Sequence, residues 1–264
     1  MAANMPCLAV LFLPIFVPLL LEKSSLYVWA DPSVVADDEA LHQKVAYYLN
    51  PGFFAVRAVL YFVVWIGLAR FFLRRSITQD ESGDPALTQR MERGSPAALL
   101  LFALTVTFAS FDWLMSLEPK WFSTIFGVYY FSGAAVGFLA AIILLVMLLQ
   151  ATGRLTSSVT VEHYHDLGKL LFGFVVFWGY IAFSQYMLIW YANIPEESVW
   201  YLARQQGSWK WVSLVLLFGH LLIPFFGLLP REAKRRKLSL GFWAAIRFCS
   251  STSSGSTPTR PCTS

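Results

Sequence analysis

The apolar positions of this sequence fall in long unbroken blocks separated by short polar connections. The blocks cover about 5–21, 52–73, 95–117, 121–150, 166–191 and 208–229. Crossing a hydrocarbon core of roughly 30 Å takes about 20 helical residues at 1.5 Å each. The pattern therefore predicts six membrane-spanning helices and an all-α polytopic membrane protein. A transmembrane barrel would need short alternating segments, and the sequence has none.

Inside the blocks the polar residues are not scattered. Taken at 100° per residue from Asp166, Lys169, Gly173, Tyr180, Ser184, Met187 and Tyr191 share one narrow face of the fifth block. A membrane helix shows such a stripe to other helices or to a water-filled path. The third block aligns Thr105, Ala109, Asp112 and Ser116, and the sixth aligns Trp209, Ser213, His220, Pro224 and Gly227. In the fourth, Gly133-x-x-x-Gly137 followed by Ala140 and Ala141 offers a close-packing surface. Arg57 and Arg70, near the two ends of the second block, read as snorkelling cations.

Composition supports the membrane reading: 57% hydrophobic, 17% aromatic and 14% charged residues, with a mean hydropathy of +0.56. Soluble domains carry about 25% charged residues. The formal charge of +4 follows topology and does not point to nucleic acid. Loops after blocks two, four and six hold Arg74, Arg75, Arg90, Arg93, Arg154, Arg231, Lys234, Arg235, Arg236 and Lys237. Those after blocks one, three and five hold Lys23, Lys44, Lys120 and Arg204. The positive-inside rule puts the first set, and both termini, in the cytoplasm.

Between the first two blocks lies an acidic cluster of Asp37, Asp38 and Glu39. The first block lacks the charged n-region and small-residue end of a signal peptide, so it reads as a retained span. Leu238 to Phe248 resembles the start of a seventh span and then gives way to SSTSSGSTPTRPCTS. The bundle is accordingly expected over 1–245, with a disordered or aberrant tail over 246–264 and a truncated or frame-shifted reading near Ile246. Cys7, Cys249 and Cys262 are isolated, and no CxxC, CxxCH, Walker or dinucleotide glycine pattern occurs. The chain brings no recognisable redox cofactor of its own.

The densest chemistry is EHYHDLGK, Glu162 to Lys169. Glu162, His163, His165 and Asp166 are competent metal ligands, but neighbouring ligands do not make a closed shell. As a helix start, the segment would cap its first turn and place the histidines at headgroup level. As an inlet, His163 or His165 would take protons near neutral pH and Asp166 would pass them inward. On helix rise alone Lys169 lies about 5 Å deep, His220 about 14 Å and Tyr180 about 21 Å, so facing stripes would put His220 in the gap. Ser184, Tyr191 and Asp112 would continue the route outward. A buried, satisfied His220 is the structural alternative. A bis-His haem is disfavoured, because His163 and His165 lie at the mouth and His220 well inside. Trp178, Trp190, Trp200, Trp209 and Trp211 fit an interfacial belt or a quinone pocket.

FDWLMSLEPKWFSTIFGVYYFSG (111–133), VEHYHDLGKLLFGFVVFWGYIAFSQYMLIWYANIPEE (161–197) and GHLLIPF (219–225) resemble the second polysulfide-reductase-like (NrfD-like) membrane component of bacterial alternative complex III. That complex is a quinol:cytochrome c oxidoreductase. The resemblance spans roughly 5–245. It implies a family fold of about ten spans in two four-helix bundles, of which this sequence holds about six. It also implies haems and iron–sulfur clusters on partner subunits, quinol or quinone nearby, and a companion NrfD-like subunit better placed for quinol oxidation. The expected partners are that companion, an iron–sulfur subunit, cytochrome c subunits and the lipid of the bacterial inner membrane.

The expected role is thus a cofactor-free membrane subunit, not catalytic alone, that supports quinol oxidation and offers a proton path. Two alternatives stand beside it: a purely structural anchor and a free-standing transporter. The last should show an internal repeat around a broken helix, and the sequence breaks no block beyond Pro224.

Overall fold

A computed structural model describes residues 5–20, 26–36, 39–156 and 158–254. Asp37 and Asp38 of the acidic cluster, Lys23 and Cys262 lie outside the described residues, as does 255–264 of the tail. Among the described residues there is no strand. Among them, five helices are long and apolar enough to cross a membrane: Pro51–Ser82, Pro85–Leu117, Phe126–Ala151, Val161–Ala192 and Trp209–Leu228. The first apolar block forms a helix of only 16 residues, about 24 Å at 1.5 Å per residue. It is therefore not among these five, and residues 1–4 and 21–25 beside it lie outside the described residues. The chain divides into two compact units, 1–122 and 123–264.

The first unit is built on a helical hairpin. α1 (Met5–Leu20), α2 (Pro32–Ala36) and α3 (Glu39–Tyr47) precede its two long arms, α4 (Pro51–Ser82) and α5 (Pro85–Trp113). The reversal between the arms is local chemistry. Gly83 ends α4 at φ +68°, the left-handed conformation that glycine adopts without penalty. Asp84 then accepts the Ala86 N–H at 2.9 Å, with Pro85 preset for the first helical position. Phe12 of α1 packs on Phe62 and Trp113, with centroids 5.5 and 4.5 Å apart. Leu19, Tyr27, Trp29, Leu41, Leu49 and Phe54 close the core at the far end of the hairpin.

The second unit comprises α6 (Phe126–Ala151), α7 (Val161–Ala192), α8 (Pro195–Gln205), α9 (Trp209–Val215), α10 (Ile223–Leu228), α11 (Arg231–Arg235) and α12 (Lys237–Ser254). α9 and α10 are halves of one span, joined by a π-helical turn over Leu216–Leu222. Proline explains the widening. Pro224 has no N–H for the His220 carbonyl and its ring crowds that oxygen; instead Ile223 N–H donates to the Phe218 carbonyl, five residues back.

α12 returns along α6, burying Leu240 and Ala244 in a core with Val136, Ala140, Ile143, Leu171 and Val175. The helix runs past Ile246 to Ser254, where the sequence pattern anticipates a tail. The buried seam of α7 is Tyr164, Gly168, Leu171, Val175, Trp178, Gln185 and Ile189. With Ile181, also buried, between Trp178 and Gln185, its spacing of three and four is the pattern by which two helices interlock.

Candidate functional site

The most complete polar constellation is in the first unit. Arg57 Nε donates to Asp112 Oδ2 at 2.8 Å and Arg57 Nη2 to Oδ1 at 2.9 Å, a two-pronged ion pair between α4 and α5. The Tyr61 hydroxyl, one turn on from Arg57, donates to Oδ2 at 2.6 Å. Arg57 Nη1 donates to the Tyr48 carbonyl at 3.1 Å, and the guanidinium lies 4.1 and 4.3 Å from the ring centroids of Tyr48 and Phe53. Ser116 donates to the Asp112 main-chain carbonyl. Arg57 is 8% exposed and Asp112 1%. One turn further from the carboxylate, Trp65 Nε1 donates to Thr105 Oγ1 at 2.9 Å.

A buried ion pair is tolerable only where geometry is good and further hydrogen bonds support it; here each side-chain nitrogen of Arg57 and each carboxylate oxygen of Asp112 has a partner. The Asp112 carboxylate receives three side-chain hydrogen bonds, two from Arg57 and one from Tyr61. The phenol of Tyr48, in the turn before α4, is pushed up to about 12 by burial and then by the Asp112 charge.

This overturns one expectation. Arg57 does not snorkel; it is drawn inward because Asp112 sits at the same depth. Arg57 lies 26 residues before Gly83 and Asp112 29 after it, a mismatch of about 4.5 Å along an antiparallel pair. Equal distance from the hairpin turn was the available signal. The predicted stripe itself is buried as a set: Thr105, Ala109, Asp112 and Ser116.

In the second unit the residues expected to form the inlet are mostly committed to the surface. Thr160 N–H donates to His163 Nδ1 at 3.2 Å, so His163 reaches back over the start of α7 as the third residue of a capping box does. Asp166 pairs with Lys169 at 2.8 Å and Glu162 with Arg235 at 2.7 Å, all of these side chains well exposed. His165 is half-buried, and its Nδ1 has no hydrogen-bond partner among the described residues. Among the described residues, no group of three or more His, Cys, Asp or Glu is placed to hold a metal ion.

His220 is 1% exposed and meets Trp178 edge to face, with centroids 4.6 Å apart. Tyr180, in contrast, is 66% exposed and Tyr191 85%, with Met187 exposed and Ser184 half-buried. Trp178 and Tyr180 are two residues apart on a helix, about 200° around it. The structure therefore sets His220 against one side of α7 and leaves Tyr180 on the other; the facing stripes expected from sequence do not form within this unit.

Several buried polar groups carried no mark in the sequence pattern. Gln185 lies in the α7 seam, its Nε2 without a hydrogen-bond partner among the described residues. Arg247, placed by sequence in the tail, is buried with its guanidinium 5.8 Å from the Trp178 ring centroid. Trp178 itself is buried, whereas Trp190 and Trp211 are exposed as a belt requires. Gln150 Oε1 accepts from the Tyr164 hydroxyl at 2.9 Å and from Lys237 Nζ at 2.7 Å, while its Nε2 donates to the Val159 carbonyl at 2.8 Å.

Fold and constellation together define an all-α, multi-pass membrane protein whose arms are tied by buried polar pairs. No protein-family model matches the chain, and no curated protein does.

Proposed function

We propose that the chain is an integral membrane subunit of a bacterial quinol:cytochrome c oxidoreductase of the alternative complex III type. It sits in the inner membrane with its basic loops on the cytoplasmic side. Its partners are a companion NrfD-like subunit, an iron–sulfur subunit and cytochrome c subunits, which carry the clusters and haems. Its part in quinol oxidation is to brace the membrane arm, without performing the electron transfer.

The observation that carries this reading is the closed Arg57–Asp112 pair. Asp112 belongs to FDWLMSLEPK, one of the segments on which the resemblance rests, and its carboxylate oxygens are taken up by Arg57 and Tyr61. A carboxylate so occupied fixes helices in place and is poorly suited to hand protons on. The test is isolation of the tagged chain from its own membranes in mild detergent. The expected result is co-isolation of c-type haem and iron–sulfur subunits, with quinol:cytochrome c reductase activity lost on deletion of the chain. Isolation without haem-bearing partners, together with undiminished activity in the deletion strain, overturns it.

A second reading, proton conduction, is favoured by one observation: His220 is buried in a π-helical turn, a feature that recurs at functional sites. Asp166→Asn and His220→Gln separate the two. Conduction predicts normal assembly with lost proton coupling in sealed vesicles, whereas bracing predicts impaired assembly for His220→Gln and no effect for Asp166→Asn.

A further inference from the structure

Where the last crossing helix ends, Arg231, Glu232, Arg235 and Arg236 line a surface recess of about 400 Å³. The stretch Arg231–Lys237 contributes five cations, and against them stand Glu232 and the Glu162 that pairs with Arg235 from α7. Three positive charges are left uncompensated. Arg231 is exposed and has no ion-pair or hydrogen-bond partner among the described residues. Arg236 reaches Glu232 only at 3.8 Å, with both side chains open to solvent. The Glu162–Arg235 contact at 2.7 Å moors the recess to the start of α7.

Positive charge beside a span serves to orient a membrane protein, and for that alone neither a recess nor arginine is needed. Three features go further. The cations lining the recess are all guanidinium groups, which grip phosphate oxygens with two parallel hydrogen bonds where lysine offers a point charge. The recess follows directly on Leu228, the last residue of a crossing helix, the level at which lipid phosphates lie. Exposed apolar side chains flank it in sequence on both sides: Phe226 and Leu229 before, Leu238 (88% exposed) and Phe242 after. A ligand that fits both parts has an anionic phosphate head and acyl chains.

We propose that this recess is a binding site for the phosphodiester headgroup of an anionic phospholipid, with Arg231 and Arg236 as its principal phosphate contacts and Leu238 against the acyl chains. The site lies in one unit and does not depend on the respiratory assignment above.

The test is native mass spectrometry of the full-length protein solubilised in mild detergent with whatever co-purifies, titrated with phosphatidylglycerol, phosphatidylcholine and inorganic phosphate. Phosphatidylglycerol is expected to bind in preference to phosphatidylcholine. The double variant R231Q/R236Q should weaken phosphatidylglycerol binding by about tenfold or more, from the loss of two surface guanidinium groups. R90Q/R93Q, which removes the same charge from exposed positions in the first unit, should leave it unchanged. Leu238→Ser should weaken it while all of the charge remains. Circular dichroism and gel-filtration elution confirm that each variant is folded. The proposal is overturned by equal binding in R231Q/R236Q, by equal affinity for phosphatidylcholine, or by displacement of phosphatidylglycerol with inorganic phosphate, which marks a simple anion site. It is also overturned if a photocrosslinker at position 231 captures a partner subunit in place of lipid.

Discussion

Arg57 and Asp112, 55 residues apart in sequence, meet through two parallel hydrogen bonds at 2.8 and 2.9 Å in the interior of the first unit. The contact fixes the register of α4 against α5, because a slide of one helical turn, about 5.4 Å, would separate both prongs. It also leaves neither charge able to survive alone. Breaking a buried pair from one side strands the other charge and costs about 3–5 kcal/mol, whereas replacing both partners with apolar residues is often close to neutral.

That asymmetry gives the first expectation. Arg57→Met and Asp112→Leu should each lower the unfolding midpoint sharply in detergent, and the double variant should recover most of the loss. A double variant as unstable as the sum of the singles would show that the two residues do not act as a unit.

Tyr48 supplies a pH signature in the same cluster. Its phenol is raised from 10.0 to about 12, so the folded state favours the protonated form relative to the unfolded chain. The stabilisation is complete below pH 10 and is lost as pH rises through 12. Tyr27 and Tyr201 are raised as well, so the test is a difference: tyrosinate absorbance of Tyr48→Phe should lack one of the native protein's late-titrating groups. Removal of a group that titrates near 10 would overturn the upward shift that partial burial and the Asp112 charge give the phenol.

At α10, packing leaves no room for a methyl group. A Cβ on Gly227 would overlap the indole of Trp243 in α12, so Gly227→Ala should cost about 1–3 kcal/mol through overpacking. Adding Trp243→Leu opens that space and should return part of it, as read by thermal unfolding of the two variants side by side.

The start of α7 separates two residues that look alike in sequence. His163→Ala removes the side chain that reaches back to the Thr160 N–H and should destabilise by about 1 kcal/mol, the usual worth of a helix cap. Asp166→Asn breaks only an exposed, solvent-screened pair with Lys169 and should leave stability essentially unchanged. Equal losses in chemical unfolding would mean that Asp166 has a partner beyond Lys169.

Chain order and hydropathy alone determined the helical class and the position of five crossing helices, because burial of apolar length in lipid is a property of each segment by itself. They also placed Thr105, Ala109, Asp112 and Ser116 on one helix face, a face that the structure buries as a set. Tertiary structure decided everything that depends on a second helix. It turned Arg57 from an interface cation into the partner of Asp112. It chose the Tyr164–Ile189 seam of α7 over the polar stripe of Lys169, Tyr180 and Tyr191 as the buried face. It also drew Arg247 into the core of the second unit. The reason is physical: apolar length is summed along one segment, but the partner of a charge and the facing of a helix are set by neighbours that the chain brings alongside only when it folds.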